Sequence, residues 1–295
     1  MASRTTRPKT VLVTGSSTGI GNSCVRVFQR EGWNVVATLR RPEAATDLRK
    51  LDNVVVAALD VTDPASIATA ILAGVDRFGD IDMVINNAGF GLYGVFESLN
   101  DPDIRRMFDT NLFGVLNVVK AILPHFRSKR AGHIVNISSG GGIFSLPAMS
   151  VYCASKFALE GFSEGIYHEL AALGISVKLI EPGGVLSTPF DRAALARLAQ
   201  ATPPAEYAPF LSALSKNMEV MRQQAKATAD EVAEAVFVAA TDGTNRLRYV
   251  VTEDIRELVR LRHETSEEQY MAFVREHIAP KLDKSSFSAI DGDDH

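Results

Sequence analysis

A doubly wound α/β sheet of seven mostly parallel strands, flanked by helices in a single domain, is the fold this 295-residue sequence predicts. Three observations carry that expectation. Short β-branched runs alternate with helical stretches along nearly the whole chain, a three-glycine turn closes the first strand–helix unit, and 46% apolar residues are enough for one large core.

Val11-Leu-Val13 reads as the first strand and enters the turn Thr14-Gly-Ser-Ser-Thr-Gly-Ile-Gly21. Ile20, Cys24, Val27 and Phe28 then recur at helical spacing. Val35-Val36-Ala37, Val54-Val55-Val56, Met83-Val84-Ile85, Ile134-Val135-Asn136-Ile137, Val177-Lys-Leu-Ile180 and Tyr249-Val250-Val251 read as the other six strands. Their apolar runs are continuous, as parallel strands covered on both faces require. One helix is expected over 104–126, where Ile104, Met107, Leu112, Val115, Val119 and Ile122 fill more than one stripe, and another over 152–173. In the latter, Ala158, Gly161 and Gly165 permit close approach of a neighbour. Phe210, Leu214, Met218 and Met221 form the inner face of a helical lid within 188–228, bounded by Thr202-Pro-Pro204. After the last strand, Ile255, Leu258 and Val259, then Tyr270, Phe273 and Val274, predict two short amphipathic helices. The domain is thus expected to span 9–280, with a C-terminal extension at 252–280 and a polar, frayed tail at 281–295.

Composition narrows the function classes. A formal net charge of −4 gives no electrostatic basis for binding nucleic acid or an anionic membrane. No run of 18 apolar residues predicts a membrane span, and the polar start lacks a secretory core. Cys24 and Cys153 lack the spacing of a redox or metal pair, and the six histidines show no metal spacing. The expectation is a metal-free protein of the cytoplasm.

Chemistry is concentrated in a few residues. Tyr152 and Lys156 stand four apart, on one face of a helix and about 6 Å apart along its axis. A free phenol titrates near ~10, and an ammonium within roughly 4–6 Å favours the phenolate. Lys156 would therefore bring Tyr152 toward general acid/base work near neutral pH, with Ser139 holding the substrate oxygen beside it. Upstream, the glycines of Gly15-x-x-x-Gly19-x-Gly21 let the backbone turn tightly and approach a pyrophosphate, whose charge meets free N–H groups at a helix start.

Taken together, these motifs resemble the short-chain dehydrogenase/reductase family. The resemblance rests on Thr14, Gly15, Gly19, Ile20 and Gly21 in the nucleotide turn, on Asn86-Asn-Ala-Gly89, and on Asn111, Ser139, Tyr152, Lys156 and Pro182-Gly183, in the family's order across roughly 9–251. It implies a Rossmann-like fold and hydride transfer between a nicotinamide dinucleotide and a carbonyl or secondary alcohol, with Asn111, Ser139, Tyr152 and Lys156 catalytic. It also implies that Lys156 holds the nicotinamide ribose and that Asn111 links Lys156 to solvent through a water. Cofactor contacts are expected from Gly15, Ser17, Thr18, Gly19, Ile20, Gly21, Asp60, Val61, Asn87, Ala88, Gly89, Tyr152, Lys156, Pro182, Gly183 and Val185, with Ser187 or Thr188 at the carboxamide. Helices 104–126 and 152–173 correspond to the family's subunit interface, which implies a homodimer or homotetramer.

An acidic residue ending the second strand would bind a ribose diol, and an arginine a 2′-phosphate. Leu39 is followed here by Arg40 and Arg41, which favours NADP(H) over NAD(H). Phe90, Leu92, Tyr93, Phe96, Phe144, Leu146, Met149 and Phe190 join the lid residues as pocket candidates and favour an apolar substrate, half of them being equally suited to the core. Gly140, Gly141 and Gly142 loosen the loop after Ser139, open room for substrate, or simply form a turn.

Three tempting motifs fail on context. Gly89-Phe-Gly-Leu-Tyr-Gly94 fits a dinucleotide fingerprint but no helix follows it, so it reads as a substrate-side loop. Gly161-Phe-Ser-Glu-Gly165 fits a hydrolase elbow but lies within a helix, and Asn136-Ile-Ser138 is a glycosylation sequon only on paper. A non-catalytic dinucleotide sensor on the same fold is the competing function class; such a protein tends to lose the tyrosine or lysine, and both are present.

Overall fold

All seven predicted strands form and pair in parallel: β1 (Thr10–Val13), β2 (Asn34–Leu39), β3 (Val54–Ala58), β4 (Met83–Asn86), β5 (Gly132–Ile137), β6 (Ile175–Glu181) and, after a two-residue ribbon of β7 (Val185–Leu186) with β8 (Ala227–Thr228), β9 (Arg248–Val250). The computed structural model describes residues 7–186, 188, 190, 192–194, 196 and 202–281. Strand order is β3-β2-β1-β4-β5-β6-β9, so the winding reverses between β1 and β4. In an open parallel sheet, ligands bind beyond the carboxyl ends of the strands at such a reversal.

The two-residue period of the strands divides the core. Val11, Val13, Val35 and Ile85 face α1 (Gly19–Arg30) and α7 (Ala229–Thr241), where Phe28 and Val236 are fully buried. Leu12, Val36, Val84 and Ile134 point the other way, onto α2 (Pro64–Phe78), α4 (Gly114–Lys129) and α5 (Ser150–Ala171).

The helix expected over 104–126 is interrupted. It forms as α3 (Asp101–Phe108) and α4, joined by a π turn over Asp109–Phe113 in which the Gly114 N–H reaches back five residues to the Asp109 carbonyl. The wider turn places Asn111 inward, 1% exposed, and Gly114 lets the backbone pass Val61 where a Cβ would come within 2.6 Å of Val61 Cγ2. Hydrophobic spacing alone does not register one extra residue.

Helices form over the stretch carrying Phe210 to Met221, as α6 (Ala208–Gln224), and after the last strand, as α8 (Arg256–Glu264) and α9 (Glu267–His277). The extension turns back onto the loop after β5, burying Ile255, Leu258, Tyr270 and Ile278 against Ile143 and Phe144. Asn217 of α6 donates to the Ile278 carbonyl at 3.0 Å, which ties α6 to the C-terminal end of the chain's last described helix. Among the described residues no helix is long and apolar enough to cross a membrane.

Candidate active site

At the reversal point the loop from β1 to α1 is pinned from both sides. Thr14 Oγ1 accepts from the Asn87 and Ala88 N–H groups at 3.0 and 3.1 Å, and Asn87 Nδ2 donates to the carbonyls of Thr14 and Gly15. Gly15 and Gly19 adopt φ of +69° and +59°, a left-handed region that disfavours other residues, and a Cβ on Gly15 would lie 2.9 Å from Ala88 Cα. Gly21 is required by packing instead, since a Cβ there would stand 2.4 Å from both Asn87 Nδ2 and the Gly15 oxygen. Thr18 caps α1 without a side-chain hydrogen bond, and no acidic residue occupies the first turn, so the helix dipole meets the cavity unopposed. A dinucleotide pyrophosphate fits this cradle.

From there one cavity of about 1050 Å³ runs to Ser139, Tyr152 and Lys156. It is lined by Gly15, Ser17, Thr18, Gly19, Ile20, Arg40, Asp60, Val61, Asn87, Ala88, Gly89, Pro182, Gly183, Val185 and Thr188, all residues expected from the motifs to be near a cofactor. Gly21 and Asn111 stand behind the wall, Arg41 does not line it, and Ser187 lies outside the described residues. Of the two arginines, Arg40 lines the cavity, while Arg41 leads into the short 3-10 turn Pro42–Ala44. Asp60 accepts from the N–H and hydroxyl of Thr62. Its burial raises its carboxyl titration, but those bonds and the Arg40 charge outweigh it and leave the carboxyl below its ordinary value.

Ser139 follows β5 by two residues and caps a short 3-10 turn, Gly140–Gly142, by accepting the Gly141 N–H at 3.1 Å. The glycine run is therefore a turn that also makes room. A Cβ on Gly141 would sit 3.1 Å from Tyr152 Cε1 and 3.5 Å from Ser139 Oγ, so the serine hydroxyl and the tyrosine ring are neighbours. Tyr152 is held edge-on by Tyr93 and Phe190, with ring centroids 6.1 and 5.7 Å away. Lys156 Nζ lies 6.0 Å from the Tyr152 ring centroid and donates to the Ile137 carbonyl at 2.9 Å. Burial draws the Lys156 ammonium down to about 8, with Glu160 opposing. One pH unit below that midpoint the ammonium still outnumbers the amine about tenfold.

The Asn111 side chain is held by the loop after β4 and by α5. Its Oδ1 accepts from the Phe90 N–H, and its Nδ2 approaches the Phe90 carbonyl at 3.0 Å and Ser155 Oγ at 3.3 Å. The side chain thus fastens the loop after β4 to α5, beneath the tyrosine.

Apolar side chains complete the cavity. Phe90, Tyr93, Phe144, Leu146, Met149 and Phe190 line it, as do Leu214, Met218 and Met221 of the lid. Leu92 is buried in the core, Phe96 is 67% exposed, and Phe210 does not line the cavity. Asp254, Ile255, Leu258 and Ile278 of the extension also form wall, and Asp254 accepts the Gly184 N–H at 2.8 Å. Sequence inspection missed Asp254, because 70 residues separate it from its partner. The rejected motifs stay rejected: Ser163 lies inside α5, bonded to the Leu159 carbonyl, and Asn136 is fully buried between Asn86 and Ser163.

Residues 9–198 match the short chain dehydrogenase family, and the chain belongs to it. An uncharacterized oxidoreductase of Schizosaccharomyces pombe is 35% identical over 242 residues, 81% of this chain and 99% of that one. Retinol dehydrogenase 8 of Homo sapiens is 40% identical over 203 residues, 66% of this chain and 64% of its own. A short-chain dehydrogenase/reductase of Burkholderia phymatum, solved in complex with NAD, superposes with a TM-score of 0.75 at 26% identity, over 94% of this chain and 98% of that one. Other solved relatives hold NADP. The protein is an oxidoreductase of this family, acting on CH–OH groups.

Proposed function

We propose that the protein interconverts an apolar ketone or aldehyde and its secondary or primary alcohol, with NADP(H) preferred over NAD(H). The observation that carries this is one continuous cavity, joining a pyrophosphate cradle with Arg40 at its rim to Ser139, Tyr152 and Lys156 among aromatic and aliphatic side chains. A bound nicotinamide dinucleotide would supply or accept the hydride. Tyr152 gives its phenolic proton to the developing alkoxide in reduction and takes it back in oxidation. Ser139 donates to the same oxygen and fixes it against the phenol. Lys156 favours the phenolate by its charge and anchors the ribose, while Asn111 holds the loop beneath them. Lid and extension exclude water from the apolar end.

Arg40 supports NADP(H), since Leu39 leaves no acid where a ribose diol would bind. The presence of Ser139, Tyr152 and Lys156 together favours turnover over sensing. Gly161 and Gly165 meet nothing within 4 Å and Phe157 is 42% exposed, which leaves α5 an open face for a homodimer or homotetramer.

A panel of ketones and alcohols with NADPH, NADH and their oxidised forms tests the proposal. Tyr152→Phe is expected to lose about 10²–10⁴ in kcat while still binding cofactor. Arg40→Ala is expected to lower kcat/KM with NADPH at least tenfold and leave NADH within about twofold. Equal use of both cofactors by the unaltered protein would refute the preference, and binding without turnover on any substrate would favour the sensor.

A further inference from the structure

Charge buried under Lys156 extends well past the lysine. One helical turn further along α5, Glu160 is 5% exposed, and Glu181 at the end of β6 is 1% exposed. Arg248 on β9 bridges them: its Nε lies 3.0 Å from Glu160 Oε2 and 3.7 Å from Glu181 Oε1, while its Nη2 reaches Glu164 at the surface. Among the described residues, Glu160 Oε1 and Glu181 Oε1 have no hydrogen-bond partner. A Cβ on Gly142 would stand 2.9 Å from both Glu160 Cγ and Ser138 Oγ, so the third glycine after Ser139 is what lets this carboxyl close on the active-site loop.

Two buried carboxylates beside one guanidinium do not both remain ionised. Burial raises the Glu160 carboxyl above its ordinary value, but bonds and charges from Ser138, Arg248 and Lys156 oppose it, and Arg248 makes its close hydrogen bond to Glu160 and only a longer contact to Glu181, so of the two the negative charge belongs to Glu160. Glu181 takes the proton, pushed up to about 8 by burial and by the Glu160 charge. The charged groups around the cluster are Lys156, Glu160 and Glu164 on α5, Glu181 on β6, Arg248 on β9 and Arg246 just before it, with the hydroxyls of Tyr152 and Ser138 nearby. Of these, Glu160 is the charge that acts on Lys156.

We propose that Glu160, kept ionised by Arg248 beside a protonated Glu181, is a positioning residue that holds Lys156 as its ammonium across the neutral pH range. The inference rests on the proposed role of Lys156 but not on any substrate. Burial opposes the ammonium, and one fixed negative charge a turn away offsets part of that penalty without touching the reacting atoms.

Lysine labelled with ¹³C at Cε reports the charge state directly by NMR, with Lys156→Arg used to assign the resonance. In Glu160→Gln, the Lys156 midpoint is expected to fall by roughly one pH unit, a tenfold loss of ammonium relative to amine at a given pH. Glu181→Gln is expected to move the midpoint by clearly less than Glu160→Gln does, because the Glu181 carboxyl still holds much of its proton where Lys156 titrates. Arg248→Gln provides a second route: Glu160 then takes up a proton, and the Lys156 midpoint falls again. Unmoved midpoints in Glu160→Gln and Arg248→Gln, or an equal fall in Glu181→Gln, would overturn the assignment. Because the titration needs no turnover, a midpoint shift with no activity on any ketone would sink the substrate reading alone.

Discussion

Gly21→Ala probes how the nucleotide loop is built, because Gly21 touches no part of the cavity and acts only through packing. The added methyl would fall 2.4 Å from Asn87 Nδ2 and 2.4 Å from the Gly15 oxygen, well inside contact distance. Asn87 can swing aside, but only by releasing the carbonyls of Thr14 and Gly15, held at 3.0 and 3.1 Å. The Gly15 oxygen is backbone and moves only with the loop. Two hydrogen bonds at about 1 kcal/mol each, with overpacking of about 1–3 kcal/mol, give a total near 3–5 kcal/mol. That loss divides between stability and nucleotide affinity, each ~1.4 kcal/mol of the latter appearing as a tenfold rise in Kd. Urea unfolding and NADPH fluorescence titration of the same preparation measure both parts. A variant with unchanged midpoint and unchanged Kd would refute the packing argument. Gly21→Ala/Asn87→Ala removes one of the two contacts, so its loss is expected to be smaller than the sum of the two single losses.

Two further outcomes follow from the buried groups. The Glu181 carboxyl titrates near 8 when folded and near ~4.3 when unfolded, so between those values the folded protein holds a proton that the unfolded chain has lost. Its contribution is therefore complete below about pH 4 and disappears as pH rises through 8, by up to about 1.4 kcal/mol per unit. Chemical unfolding across pH 5–8 is expected to show Glu181→Gln gaining on the unaltered protein as pH rises; a constant difference would contradict the assignment of the proton. Leu258→Ala removes a buried side chain joining the extension to Phe144 and the cavity. It is expected to cost about 2–3 kcal/mol and to raise KM for bulky apolar substrates several-fold with little change in kcat, and a selective fall in kcat would argue against a wall role.

The sheet, its parallel pairing and the two ends of the cavity were legible in the sequence, because each depends on local spacing. Continuous apolar triplets mark strands covered on both faces, three glycines mark a loop with no space for Cβ atoms, and a four-residue interval puts Tyr152 and Lys156 on one helical face. The apolar pocket was legible for the most part, with Leu92, Phe96 and Phe210 the exceptions. Leu92 and Phe96 are as apolar as Phe90 and Tyr93, and only the folded loop sends Phe90 and Tyr93 to the cavity, Leu92 to the core and Phe96 to solvent.

What tertiary structure alone decided are contacts between residues distant in the chain. The π turn places Asn111 inward beside the close pass of α4 and Val61, and Arg40 but not Arg41 reaches the cavity wall. Asp254 reaches Gly184, and Arg248 reaches both Glu160 and Glu181, across separations of 67 to 88 residues. No local period encodes such partners: a carboxyl in a helix reads as solvated until the fold closes around it, and only then does its proton become a matter of the active site.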